Sequence, residues 1–94
     1  MLEKDLEKKI VTKAKQLSFL SYKFVSPSQK GVPDRIFISK NGKMFFIEFK
    51  SAKGKLTKLQ EKKISELITY KQDVFVVNSE ELGLEILTKI MSED

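Results

Sequence analysis

Residues 31–50, GVPDRIFISKNGKMFFIEFK, place Asn41-Gly42 between two apolar runs, the strongest short-range signal for a β-hairpin. A turn at Gly31-Val32-Pro33 leads into a strand from Asp34 to Ser39, and a second strand runs from Lys43 to Lys50. Strand side chains alternate faces, so Met44, Phe46, Glu48 and Lys50 share one side while Phe45, Ile47 and Phe49 line the other. Both sides of the second strand are apolar until Glu48, the pattern of a central strand covered on both faces.

The length of the connecting loop decides whether the two acids of this hairpin meet. A two-residue loop, Asn41-Gly42, puts Asp34 opposite Phe49 and away from Glu48. A three-residue loop, Lys40-Asn41-Gly42 with Gly42 left-handed, pairs Ser39 with Lys43, Ile38 with Met44, Ile36 with Phe46 and Asp34 with Glu48. The second register also stacks the apolar pairs on one face and is preferred. Directly opposed carboxylates repel, so the pairing predicts a cation between them, a divalent metal.

The identity of that metal follows from what the chain lacks. Its 94 residues contain no histidine and no cysteine. Imidazole-ligated zinc enzymes, histidine-based hydrolases and nucleases, zinc-thiolate clusters and disulfides are all excluded, leaving oxygen-ligated Mg2+ or Mn2+. The net charge of +5 is unevenly placed: residues 8–71 hold sixteen Lys/Arg against four Asp/Glu, whereas both ends are acidic. A basic field around an acidic pocket suits a polyanion such as nucleic acid, although surface lysines also serve solubility alone. There is no apolar run of membrane-spanning length, and the N-terminus is too charged for a secretory signal, so a cytoplasmic protein is expected. Residues 1–94 read as one small domain whose limited core would benefit from dimerisation.

Elsewhere the periodicity predicts a helix over residues 3–18 with Leu6, Ile10, Ala14 and Leu17 as its stripe. Glu3 and Glu7 lie on the edge of that stripe, either as first-turn dipole partners or with one reaching toward the metal pocket. A short strand at Leu20–Val25 and a polar loop at Ser26–Gly31 follow. A second helix is predicted over Thr57–Tyr70, burying Leu56, Leu59, Ile64, Leu67 and Ile68. Gln60, in the middle of that stripe, has two explanations: a capping box with Thr57, or a side chain that points across the pocket to the substrate or the attacking water. Val74–Val77 is an apolar strand entered from a helix, consistent with a parallel crossover, and a third helix over Glu80–Met91 is capped by Asn78 or Ser79 and buries Leu82, Ile86, Leu87 and Ile90. Lys23, Lys30, Arg35, Lys53 and Lys55 are the candidate DNA contacts around the site.

Pro33-Asp34, thirteen residues, then Glu48-Phe49-Lys50 is similar to the PD-(D/E)xK nuclease signature. With Gly31-Val32-Pro33-Asp34, Leu56-x-x-x-Gln60 and the helical Glu3/Glu7 pair, the chain resembles the VRR-NUC branch of that superfamily, in its small stand-alone phage and bacterial form. The resemblance implies an α/β, restriction-endonuclease-like core, a mixed sheet of about four strands flanked by helices in the order α-β-β-β-α-β-α. It implies metal-dependent phosphodiester hydrolysis, with Asp34, Glu48 and the Phe49 backbone carbonyl as metal ligands. Lys50 would orient or activate the attacking water, and Gln60 and Glu7, or Glu3 in place of Glu7, would support it. It also implies a homodimer that acts on branched or double-stranded DNA like a Holliday-junction resolvase. One departure is Tyr70-Lys71-Gln72, where many relatives have a glycine before the last strand.

Two competing functions keep the same residues. In a catalytically silent DNA-binding module, Asp34 caps a turn and Glu48 pairs with Lys50, while the basic middle of the chain grips phosphate. A protein-interaction adaptor predicts DNA association that is nearly insensitive to salt.

Overall fold

The computed structural model describes residues 1–93. The elements in chain order are α1 (Glu3–Gln16), β1 (Leu20–Lys23), β2 (Arg35–Ile38), β3 (Met44–Phe49), α2 (Lys58–Thr69), β4 (Val74–Val77) and α3 (Glu80–Glu93). Their order is the expected α-β-β-β-α-β-α. They form one four-stranded sheet in the order β1-β2-β3-β4, antiparallel except for the β3–β4 pair. β3 is therefore interior, and everything from Phe45 to Phe49 is buried.

The hairpin takes the three-residue loop. Ile38 pairs with Met44 and Ile36 with Phe46. The Ser39 amide donates to the Lys43 carbonyl at 2.8 Å, and the Gly42 amide donates to the Ser39 carbonyl at 2.9 Å. Gly42 has φ +91°, a conformation that side chains with a Cβ rarely adopt.

The two faces of the sheet are covered unequally. Leu6, Ile10 and Ala14 of α1 and Leu87 and Ile90 of α3 pack on Phe37, Phe45, Ile47, Phe49 and Val77, forming a continuous core. α1 and α3 approach closely because position 83 is glycine, where a Cβ would run into the Ile10 side chain. Leu82 and Ile86, expected inside, are only half-buried. Ser79 is the cap of α3, its hydroxyl accepting from the Leu82 amide at 3.1 Å.

On the other face α2 stands alone, and here the expected stripe fails. Ile64 is its one buried residue, while Leu59 and Ile68 are 43% and 53% exposed. One helix cannot cover four strands, so its flanks stay open. The same incomplete cover leaves Leu20 and Tyr22 of β1 and Met44 of β3 exposed.

Both α1 and α2 end in Schellman motifs built without glycine. Ser18 and Lys71 each have φ +67°. The Phe19 amide returns to the Ala14 carbonyl and the Gln72 amide to the Leu67 carbonyl, both at 2.9 Å. These turns end α1 at Gln16, two residues short of the predicted limit. A side chain in the left-handed region costs about 1 kcal/mol that glycine would avoid. Lys71→Gly is therefore expected to stabilise the protein by roughly 0.5–1 kcal/mol, seen as a higher urea midpoint at unchanged slope.

Candidate active site

The catalytic candidates sit where the β2 ladder runs out against the end of β3. Continuing the register two residues beyond Ile36–Phe46 sets Asp34 against Glu48 on the face covered by α2. The Asp34 carbonyl accepts from the Phe24 amide at 2.9 Å, extending the β1–β2 pairing by one step. Its side chain turns back, and Oδ2 accepts from the Phe49 amide at 2.8 Å. Asp34 is thus held by backbone on both sides.

Glu48 is 2% exposed. Its Oε2 accepts from Gln60 Nε2 at 3.1 Å and lies 3.5 Å from Lys50 Nζ. Its Oε1 is buried and, among the described residues, has no hydrogen-bond partner. A buried polar atom without a partner is costly, and this oxygen could take a ligand.

Gln60 forms the capping box, and its side chain also reaches Glu48. Its backbone amide donates to Thr57 Oγ1 at 3.1 Å and its Oε1 accepts from the Thr57 amide at 2.9 Å, completing a capping box. The other end of the same amide group, Nε2, holds Glu48. Gly31 joins the loop before Asp34 to this helix start: with φ +90°, it lies so close to Leu59 that a Cβ would stand 2.9 Å from both the Leu59 Cγ and its carbonyl oxygen. Lys63 Nζ donates to Gln29 Oε1 at 2.7 Å and fastens the same loop further along α2.

Glu7 approaches from the opposite side of the sheet. Its Oε2 accepts from Arg35 Nε at 2.7 Å and Lys23 Nζ at 2.9 Å. Lys23 and Arg35 are cross-strand partners on the α1 side, so this acid bridges the helix to the β1–β2 pair. Burial opposes its charge, but the two cations outweigh burial and hold the carboxyl below the ordinary range. Glu3 remains exposed. Of the expected DNA contacts, Lys23 and Arg35 already have this internal acid, whereas Lys30, Lys53 and Lys55 are exposed on loops.

The electrostatics of the pair follow from burial. Burial pushes Glu48 up to about 7, with the Asp34 charge adding to it and Lys50 working against it. Burial also raises Asp34, partly countered by the Phe49 amide and reinforced by the charge of Glu7. Lys50 and the Phe49 amide therefore do not neutralise the site, and a divalent cation would.

Among the described residues no three acids, histidines or cysteines gather as a metal cluster. The donor set is two carboxylates and nearby backbone, which suits Mg2+ or Mn2+, ions that retain several waters. Of the two features of a purely structural role, the Glu48–Lys50 ion pair is present, whereas Asp34 holds the Phe49 amide of the neighbouring strand and not a turn. They do not account for the buried Oε1 of Glu48.

The fold defines the class first. A solved structure described as a VRR_NUC domain superposes with a TM-score of 0.85, covering 92% of this chain and 94% of that one at 23% identity. The sequence then gives the family: the VRR-NUC domain profile matches residues 2–81, and the chain belongs to the VRR-NUC family. A protein provisionally named nuclease p44, from Acyrthosiphon pisum secondary endosymbiont phage 1, is 36% identical over 81 residues, covering 86% of this chain and 87% of its own.

The pH dependence of stability has a definite sign. Glu48 binds its proton more tightly folded than unfolded, so raising the pH from about 4.5 to 7 removes stability from the metal-free protein. The loss is on the order of 2 kcal/mol. The melting temperature in EDTA should fall across this interval, and Glu48→Gln should flatten most of the fall. Separately, Gly31→Ala should destabilise more than Gly42→Ala, because both have positive φ but only position 31 lacks room for a Cβ. Parallel urea titrations would read the difference.

Proposed function

We propose that the protein is a metal-dependent DNA endonuclease that hydrolyses phosphodiester bonds, selects branched DNA in the manner of a Holliday-junction resolvase, and works as a homodimer. The observation that carries the catalytic part is the buried Glu48, with one oxygen unpartnered, set against Asp34 and beside Lys50. Family membership and the nuclease name of the phage relative point the same way.

Asp34, Glu48 and the Phe49 carbonyl would hold Mg2+ or Mn2+. Such an ion lowers the pKa of bound water and offsets charge building on the phosphate oxygens. The chain itself supplies order and charge. The Phe49 amide fixes Asp34, and Gln60 fixes Glu48 Oε2, leaving Oε1 for the ligand. Lys50, with a side chain 12% exposed, presents an ammonium on the same face as Glu48, where the attacking water or a non-bridging phosphate oxygen would lie. Glu7, bound to Arg35 and Lys23, keeps those two cations at the margin of the site as a positioned group.

Dimerisation is supported by the uncovered part of the sheet. Leu20, Tyr22 and Met44 are 54%, 56% and 41% exposed, and the register places Leu20, Ile38 and Met44 in one row beside Tyr22 and Ile36 in the next. A second copy laid on this face would bury a contiguous apolar surface. Tyr22→Glu is expected to give a monomer by sedimentation equilibrium where the native chain sediments as a dimer. An unchanged mass would remove this face from the interface.

Catalysis is tested with a labelled four-way junction, fork, flap, duplex and single strand in Mg2+, Mn2+ or EDTA. Cleavage should need the metal, favour branched substrates, and fall by at least about 100-fold in Asp34→Asn and Lys50→Ala. Asp34→Asn should still bind DNA, because it removes a charge that repels phosphate. The second reading, a silent DNA-binding module, draws on the internal partners of Asp34 and Glu48; it predicts equal binding in EDTA and no products with Mn2+.

A further inference from the structure

A cleft of about 360 Å3 opens between the 26–33 loop and α2. Phe24, Val32 and Leu67 make its apolar lining, and Gln29, Lys63 and Glu66 are its polar wall. The Phe24 amide is bonded to the Asp34 carbonyl, and the β1–β2 register puts the Phe24 side chain on the Asp34–Glu48 face, one strand away from Asp34. The Phe24 ring packs on Phe46 with centroids 5.6 Å apart and an interplanar angle of 36°, so a buried aromatic neighbour supports it from within the fold.

We infer that this cleft takes an unpaired nucleobase from the strand being cut, stacked against Phe24. The inference rests on the nuclease reading and names a feature of DNA that the site recognises. A planar heterocycle matches an aromatic wall with an apolar floor, and stacking on such a wall tolerates every base. The polar side offers an acceptor in Glu66 and an amide in Gln29 for the edge of the base. A base inside a continuous duplex is stacked on both faces and cannot enter, whereas a base at a junction, fork or bulge can. A pocket of this kind, whose aromatic wall pairs across the strands with Asp34, favours branched over continuous DNA without reading sequence.

The test measures binding in EDTA, independent of cleavage, by fluorescence anisotropy of a labelled fork, a single-base bulge and a blunt duplex. Native protein should hold the fork and bulge more tightly than the duplex. Phe24→Leu should weaken binding to the fork and bulge by about fivefold or more, the lower end of base–aromatic stacking, and change duplex binding less than twofold. Leu67→Phe fills the cleft from the α2 side with Phe24 intact and should produce the same selective loss, which decides the matter if Phe24→Leu melts at a markedly lower temperature. Equal affinity of the native protein for all three probes, or parallel changes on fork and duplex in Leu67→Phe, would overturn the inference. The nuclease reading fails on a different result, the absence of cleavage by native protein with Mn2+.

Discussion

The backbone of one turn, Lys40-Asn41-Gly42, sets the relation between the two acids on which the candidate chemistry depends. Side chains along a strand alternate, so one residue more or less in this loop would send Asp34 to the face opposite Glu48. Gly42 at φ +91° lets the loop close with three residues. The repulsion between the carboxylates is then a consequence of local chain geometry, and the surrounding structure offsets only part of it: the Phe49 amide takes Asp34, and Lys50 and Gln60 take one oxygen of Glu48.

The site is assembled from segments whose own stability has separate sources. β3 is held by neighbouring strands on both sides and by apolar cover from α1 and α3. α2 has a thinner apolar footing and depends more on its first turn, on Gly31 against Leu59 and on Lys63 with Gln29. The rigid half carries Glu48 and Lys50. The more lightly held half carries the groups that touch them from above, consistent with a site that must admit a large polyanion.

Most of the element order was legible because the signals were local. Asn41-Gly42, the alternation in Phe45–Phe49, the four-residue spacing of Leu6, Ile10 and Ala14, and the Thr57–Gln60 pair each determine structure within a few residues. The Asp34–Glu48 relation was legible too, since it follows from counting along a hairpin. What escaped depended on partners distant in sequence. The exposure of Leu59 and Ile68 reflects how little of the sheet one helix covers, which helical periodicity does not express. The attachment of Glu7 to Arg35 and Lys23 spans 28 and 16 residues and requires knowing that α1 crosses the β1–β2 pair. Ser18 and Lys71 escaped because glycine is the usual marker for a left-handed helix end, and neither position has one.

The side chain of Gln60 connects the nucleation of a helix to the alignment of an acid. Its Oε1 belongs to the first turn of α2 and its Nε2 to Glu48, so a fraying event that opens the Thr57 cap also frees the carboxylate. Hydrogen exchange at the Gln60 amide and the orientational disorder of Glu48 would then share one opening equilibrium. Solvent conditions that loosen the start of this helix would blunt the site well before the sheet beneath it yields.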